Sequence, residues 1–163
     1  NLMLKEHPEY LAPLTEGFQI NLAGKGPSGL ADEGSRNTIP VFSYFAGRLS
    51  CRFNAKQIID GARIVGRTLT PLELAAIDYV GETALRDDVR LDMEFLPGDI
   101  QLLSNHSILH ARGAFNDASQ GAGRLLLRVW LNTPGSRPLD ERFADRLNTG
   151  PRGEVAVAGA SAP

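Results

Sequence analysis

The chain has 163 residues, of which 42% are hydrophobic and 22% charged, and its formal net charge is −2. This length supports one domain with a core of its own, and the weak negative charge excludes a broad basic surface for nucleic acid or an anionic membrane. The single cysteine, Cys51, excludes an intramolecular disulfide framework and favours a reducing, cytoplasmic setting. No apolar run approaches the roughly 20 residues that a membrane-spanning helix needs.

The N-terminal part predicts helix, a short strand and a long loop. Residues 2–14 have apolar side chains at helical spacing, and His7-Pro8-Glu9 predicts a helix boundary because proline is tolerated in a first helical turn. Residues 18–22 alternate between apolar and polar, as in a half-buried strand. Residues 25–37 form a polar, glycine-containing loop. A surface excursion is favoured over a functional lid, and the role of the loop stays open.

A hairpin and two helices are predicted next. Residues 38–54 contain two β-rich runs around Ala46-Gly47-Arg48, which predicts a hairpin. Asn54 is predicted to cap a helix that ends near residue 64. Thr70-Pro71-Leu72-Glu73 combines an N-cap threonine, a proline at the first helical position and a glutamate at the third. It predicts a second helix, which carries Leu74, Ile77 and Val80 on one face and fades near Arg86.

The last part of the chain is predicted to be rich in strands. Residues 90–95 alternate, residues 100–103 and 108–115 are extended runs, and residues 124–131 predict a strong strand. Short strands with helices grouped before them favour a mainly β fold, a sandwich or jelly roll with flanking helices, over a parallel βαβ sheet. The domain is expected to end near residue 149, and the small, glycine- and proline-rich residues 150–163 are expected to be disordered.

Two of the three histidines, His106 and His110, lie four residues apart. This spacing suits a zinc-binding helix, but Ser107 stands where the H-E-x-x-H motif has glutamate. On extended chain, positions four apart are separated by about 13 Å, so the two rings could bind one ion only if the chain bends between them. A metal site made of these two histidines alone is therefore disfavoured.

Arg124 and Arg128 share one face of the last predicted strand, opposite a uniformly apolar face. In one interpretation the apolar residues lie in the core and the arginines in water, and the pattern alone favours it. In the other, the arginines face the interior of a barrel, where each needs an anion such as a carboxylate. The separation of about 13 Å would let them hold two different ligands.

The run GDIQLLSNHSILHARGAF, followed by GRLLLRVWL, resembles the taurine dioxygenase/TfdA-like family of Fe(II)- and 2-oxoglutarate-dependent oxygenases. The run VFSYFAGRLSCRFN and the PGDIQ turn resemble the γ-butyrobetaine hydroxylase side of that family. The resemblance covers residues 1–134 and implies a double-stranded β-helix, a jelly-roll (cupin-like) variant. Its sharpest motif is N-x-x-x-x-H-x-R-x-x-F, placed on Asn105, His110, Arg112 and Phe115.

The resemblance also implies roles for three side chains. His110 matches the distal histidine of an iron-binding facial triad, and Arg124 matches the arginine that pairs with the C5 carboxylate of 2-oxoglutarate. Arg128 matches a second active-site arginine, which meets an anionic substrate in some members. The H-x-D/E motif for the other two iron ligands has no match, because His7-Pro8-Glu9 is predicted to be a helix boundary. We therefore expect the chain to be the C-terminal part of a longer protein, with an incomplete β-helix.

The leading hypothesis is a dioxygenase that hydroxylates a small organic substrate and converts 2-oxoglutarate to succinate, using Fe(II) and O2. Neither nucleic acid nor membrane is expected as a partner, and a homo-oligomer stays open. The rival is a non-catalytic β-sandwich or jelly-roll binding module. A cupin isomerase or sugar-binding protein is a weaker option, because it would need a cluster of metal-binding histidines. Arg52 and Asn54 are minor candidates for contacts with the substrate. The favoured interpretation is that Arg52 is a solvated arginine and that Asn54 caps a helix. Cys51 is expected to be a small core residue.

Overall fold

The computed structural model describes residues 1–26, 28–113, 125–129, 131 and 135–146, with the backbone alone for residues 144–146. The chain begins with two short helices, α1 (Leu2–Glu6) and α2 (Leu11–Glu16), joined by a 3₁₀ turn at Pro8–Tyr10. Pro8 stands in the first turn of this connection, where its missing N–H is no loss. The helical prediction for residues 2–14, with a boundary at Pro8, is confirmed.

The predicted hairpin is present. Strand β1 (Phe42–Phe45) pairs in antiparallel register with β2 (Arg48–Cys51), so that Phe42 faces Cys51. Ala46 and Gly47 form the two-residue turn, with φ of 48° and 75°. Two consecutive positive φ angles match the right-handed twist of the flanking strands, and glycine adopts such an angle without steric strain.

Both longer helices begin at the predicted caps. Helix α3 (Ala55–Ile64) starts after Asn54, whose Oδ1 accepts a hydrogen bond from the backbone N–H of Gln57 at 3.0 Å. Helix α4 (Pro71–Ala84) starts after Thr70, which exchanges hydrogen bonds with Glu73 in a capping box. Helix α4 buries Ala76, Ile77 and Val80, whereas Leu74, predicted on the same face as Ile77 and Val80, is 41% exposed.

The core lies between the helices and the residues that lead into the hairpin. Helix α2 packs against α4 and β1, and α3 packs against α4. Phe18, Ile20 and Leu22 are at most 5% exposed, so the predicted alternation is confirmed as a burial pattern. It does not become a regular strand, because only isolated bridges form there, one of them between Phe18 and Ile39. The core cluster contains Met3, Leu14, Phe18, Ile20, Leu22, Ile39, Val41, Ile58, Ala76, Ile77, Val80, Leu139 and Phe143.

The mainly β prediction is not confirmed by the described residues, which contain β1 and β2 as their only strands. The described parts of 90–131 form no strand, so the strand predictions for 90–95 and 124–131 are not confirmed by the residues described. An extended segment becomes a strand only when a neighbour takes its backbone hydrogen bonds and covers its apolar face. Leu125, Leu127 and Val129 are instead 77–82% exposed.

Residues 150–163, predicted to be disordered, lie outside the described residues. Among the helices that the structure describes, none has the length and apolar character needed to cross a membrane.

Candidate functional site

The structure brings together two of the three side chains that the sequence marks as functional. Nη2 of Arg128 donates a hydrogen bond to Nε2 of His110 over 2.7 Å, and both side chains are exposed. A guanidinium has donors only, so Nε2 must be the acceptor and the ring of this neutral imidazole has its proton on Nδ1. The guanidinium therefore engages the lone pair of His110 Nε2, so this nitrogen could bind a metal only after the hydrogen bond to Arg128 is released.

The third predicted site residue, Arg124, lies outside the described residues, as does Phe115 of the family motif. The structure leaves their predicted roles untested. The five described residues that follow Arg124, residues 125–129, include Arg128 and the exposed apolar side chains around it. The interpretation in which these leucines form the core does not describe the structure, since Leu125 and Leu127 are 82% and 81% exposed.

His106 has different surroundings from His110. Its half-buried ring meets the ring of Phe143 edge-on, with centroids 5.6 Å apart and an interplanar angle of 74°. Its backbone carbonyl accepts a hydrogen bond from the N–H of Cys51 at 2.9 Å, which fastens the segment to β2. The two histidines thus face different neighbours, Phe143 and Arg128, and the structure favours no shared ion.

The minor candidates at the end of β2 have structural partners. Asn54 is the cap of α3, as favoured from the sequence. Arg52 is half-buried, and its Nη2 donates to Oε1 of Gln57 at 3.0 Å. Burial raises the pKa of the Cys51 thiol to about 12, so this side chain stays protonated near neutral pH and packs beside the core.

The letters H-x-E at His7-Pro8-Glu9 belong to the helix boundary. Nδ1 of His7 and Oε1 of Glu9 lie 3.0 Å apart, and the His7 ring stacks on Tyr10 with centroids 4.7 Å apart. Tyr79 of α4 meets the same ring edge-on and donates a hydrogen bond to Oε2 of Glu6 at 2.7 Å. This group joins the N-terminal turn to α4, which supports the boundary interpretation.

Residues 135–143 contribute to the core and to the site in a way that the sequence analysis missed. Leu139 and Phe143 are 2% and 1% exposed, and between them Asp140 and Arg142 form a two-pronged ion pair. Arg137 reaches the turn before His110 by donating to Ser107 Oγ at 2.7 Å. Leu139 and Phe143 lie four apart after Pro138, which was the available signal for the 3₁₀ helix Glu141–Arg146 in this segment.

A complete metal centre is not found within the described residues. Among them, no group of three or more His, Cys, Asp and Glu side chains stands close enough to hold a metal ion. His110 is the predicted ligand in this part of the chain, and in the structure its Nε2 is hydrogen-bonded to Arg128 instead. The described part of the chain therefore offers one ligand position and a neighbouring guanidinium.

Comparison with known proteins assigns the chain to a class of oxygen-using enzymes. The model of the family described as "Taurine catabolism dioxygenase TauD, TfdA family" matches residues 1–130. The chain belongs to this family, as its resemblance around His110 indicated. Members of the family are Fe(II)- and 2-oxoglutarate-dependent oxygenases that act on small molecules with O2.

Two relatives come from Streptomyces. FR-33289 synthase of Streptomyces rubellomurinus (strain ATCC 31215) is 33% identical over 162 residues, which cover 97% of this chain and 46% of that protein. Clavaminate synthase 2 of Streptomyces clavuligerus is 30% identical over 84 residues, which cover 50% of this chain and 25% of that protein. The chain spans less than half the length of either relative.

Proposed function

We propose that the protein containing this chain is an Fe(II)- and 2-oxoglutarate-dependent dioxygenase that hydroxylates a small organic substrate. The observation that carries the proposal is the match of the family model to residues 1–130, the region that contains His110, Arg124 and Arg128. Within it, the contact between His110 and Arg128 joins a neutral imidazole to a permanent cation, and these are the two kinds of group that a ferrous site with an anionic ligand requires.

Each predicted residue has one task in this proposal. His110 binds the metal, and the hydrogen bond that its Nε2 accepts from Arg128 in the described structure is released when the metal binds. Arg124 binds the C5 carboxylate of 2-oxoglutarate, since a guanidinium and a carboxylate make two parallel charge-assisted hydrogen bonds. Arg128 binds an anionic group of the substrate beside the metal. Bound Fe(II) and 2-oxoglutarate supply the oxidising chemistry, with O2 consumed and succinate and CO2 released.

The remaining metal ligands are proposed to come from an H-x-D/E motif outside this chain. Two observations support this. First, His7-Pro8-Glu9, which has the letters of the motif, lies at a helix boundary, where His7 contacts Glu9 and Tyr10. Second, the matched residues cover only 46% of the length of FR-33289 synthase. Under the same proposal, residues 90–95 and 124–131 become strands of a double-stranded β-helix. Covering Leu125, Leu127 and Val129, now 77–82% exposed, would stabilise it by about 25 cal/mol for each Å² of apolar surface removed from water.

The test is succinate formation by the full-length protein with Fe(II), 2-oxoglutarate and O2, compared with the His110→Ala variant. Wild-type protein should convert 2-oxoglutarate to succinate, and the variant should lose this conversion. A matched control is His7→Ala, because His7 lies at the helix boundary and should leave the conversion intact. Absence of both Fe(II) binding and succinate formation in the wild-type protein would favour a non-catalytic binding module instead.

A further inference from the structure

An open groove lies between the second half of α3 and the beginning of α4. Its volume is about 490 Å³, and the residues that line it include Ile59, Ala62, Arg63, Arg67, Leu69 and Leu74. Volumes of this order are usual for sites that bind small molecules. None of the lining residues is among those proposed to act in catalysis.

Much of the lining is apolar. Ile59 on α3 and Leu74 on α4 are 47% and 41% exposed, although the opposite faces of both helices are buried in the core. Leu69, in the connection between the helices, is half-buried. Because removing apolar surface from water is favourable, these side chains favour a ligand with a hydrocarbon part.

The connection between the two helices, residues 65–70, is held by its own hydrogen bonds. The backbone N–H groups of Val65, Gly66 and Arg67 donate to carbonyls of α3 at 2.8–3.1 Å. The capping box of Thr70 fixes the beginning of α4. The walls of the groove are therefore in place without a ligand, and binding requires little ordering of the chain.

The charged residues that line the groove are both arginines, in a chain whose formal net charge is −2. The guanidinium of Arg67 pairs with Glu73, whose side chain is 12% exposed. Arg63 is exposed, and within the described part of the chain its side chain makes no hydrogen bond. Its charge interacts with Asp60, but that carboxylate already accepts a hydrogen bond from Lys56 Nζ at 2.6 Å. The donors of Arg63 are thus available to a carboxylate from outside.

We propose that this groove binds a small apolar carboxylate of the straight-chain fatty acid class. The hydrocarbon part lies against Ile59 and Leu74, and the carboxylate accepts two parallel hydrogen bonds from Arg63. A single carboxylate matches the one guanidinium with available donors, since Arg67 stays paired with Glu73. The inference involves no metal ion and does not rest on the proposed function.

The experiment titrates the full-length protein with octanoate and, separately, with octan-1-ol. Calorimetry measures the affinity, and protection from hydrogen exchange at residues 59–74 locates the bound molecule. Arg63→Gln and Ile59→Ser alter the groove. Arg48→Gln and Leu4→Ser are the matched controls, because both residues are exposed and lie outside it.

Octanoate should bind about 10-fold more tightly than octan-1-ol, because a hydrogen bond to a charged group contributes more than a neutral one. Arg63→Gln should remove most of this preference and leave the affinity for octan-1-ol unchanged, whereas Ile59→Ser should weaken the binding of both. Hexanoate should bind about 4–16-fold more weakly than octanoate, since each covered methylene contributes about two- to fourfold. The two control variants should stay within about twofold of wild type.

Absence of protection at residues 59–74 would overturn the inference, as would equal affinities for octanoate and octan-1-ol or an equal loss of affinity in Arg48→Gln. An Arg124→Ala variant tests whether octanoate instead occupies the carboxylate site proposed for 2-oxoglutarate. Loss of octanoate binding in that variant would also overturn the inference. Failure of the proposed function, which is measured by Fe(II) binding and succinate formation, leaves these results unaffected.

Discussion

Nη2 of Arg128 lies 2.7 Å from Nε2 of His110, although the two residues are eighteen positions apart in the chain. The contact places the cation against the one ring nitrogen that is free of a proton. It also separates His110 from His106, whose ring packs on Phe143. The two histidines in this segment therefore have different neighbours, and it is His110 that contacts Arg128.

The first prediction concerns the metal ligand. His110→Ala should weaken Fe(II) binding by more than about 100-fold, because a bond to the metal is removed. Removing a residue that only hydrogen-bonds to a metal ligand typically costs about 10–100-fold. Equilibrium binding of Fe(II) under anaerobic conditions measures the effect, and His7→Ala provides the control. Retention of wild-type affinity in His110→Ala would contradict the assignment of His110.

The second prediction separates the two arginines. Arg124→Ala should raise KM for 2-oxoglutarate by about 10–100-fold, because a hydrogen bond to a charged group contributes about 1.5–3 kcal/mol. Arg128→Ala should instead raise KM for the substrate that is hydroxylated. Each variant is the control for the other. Steady-state kinetics with one substrate varied at a time will show the split, and a shared effect on both constants would argue against two separate ligands.

The features of the fold that could be predicted are those that depend on residues close together in the sequence. The Asn54 cap, the Thr70 capping box and the Ala46-Gly47 turn each depend on residues within four positions, and all three are present in the structure. Arg137 and Arg142 bind carbonyls 88 and 127 positions away, so no local pattern could predict those contacts.

The strands and the site residues also depend on partners that are distant in the sequence, which limits how far they can be predicted. The alternation at residues 124–131 predicts which side chains share a face, but a ladder also needs a partner strand, and the described residues supply none there. For the site, residue types and family order selected His110 and Arg128, which the structure then places in contact. The roles of His110, Arg124 and Arg128 all stay predictions.

The third prediction concerns acid stability. The hydrogen bond from Arg142 holds the pKa of Asp140 below its ordinary value, against the opposing effect of burial, and the backbone N–H of Arg142 and the Ser43 hydroxyl act in the same direction. A carboxyl with a lowered folded-state pKa contributes stability above its unfolded value, about 3.9. That contribution is lost as the pH falls through the folded pKa.

Asp140→Asn should therefore lower the free energy of unfolding at pH 7 by about 1–2 kcal/mol, with a smaller difference from wild type as the pH falls below about 4. Urea unfolding at a series of pH values measures this difference, with the exposed Asp78→Asn on α4 as the control. A difference that stays constant from pH 7 to the acid range would show that the charge of Asp140 has no part in the effect.

The fourth prediction compares two glycines in helices. A Cβ added at Gly61 of α3 would lie 2.4 Å from Cα of Ile20 and 2.5 Å from the carbonyl oxygen of Gln19, both backbone atoms that cannot move aside alone. A Cβ added at Gly81 of α4 would meet only Cε1 of Phe53, at the ordinary distance of 3.9 Å.

Gly61→Ala should therefore lower the free energy of unfolding by about 1–3 kcal/mol, because overpacking outweighs the better helix propensity of alanine. Gly81→Ala should raise it by about 0.5–1 kcal/mol, since only the propensity term acts there. Denaturant unfolding of the two variants under one set of conditions measures both signs. If Gly61→Ala were also stabilising, the close approach of α3 to the backbone at residues 19–20 would be wrong.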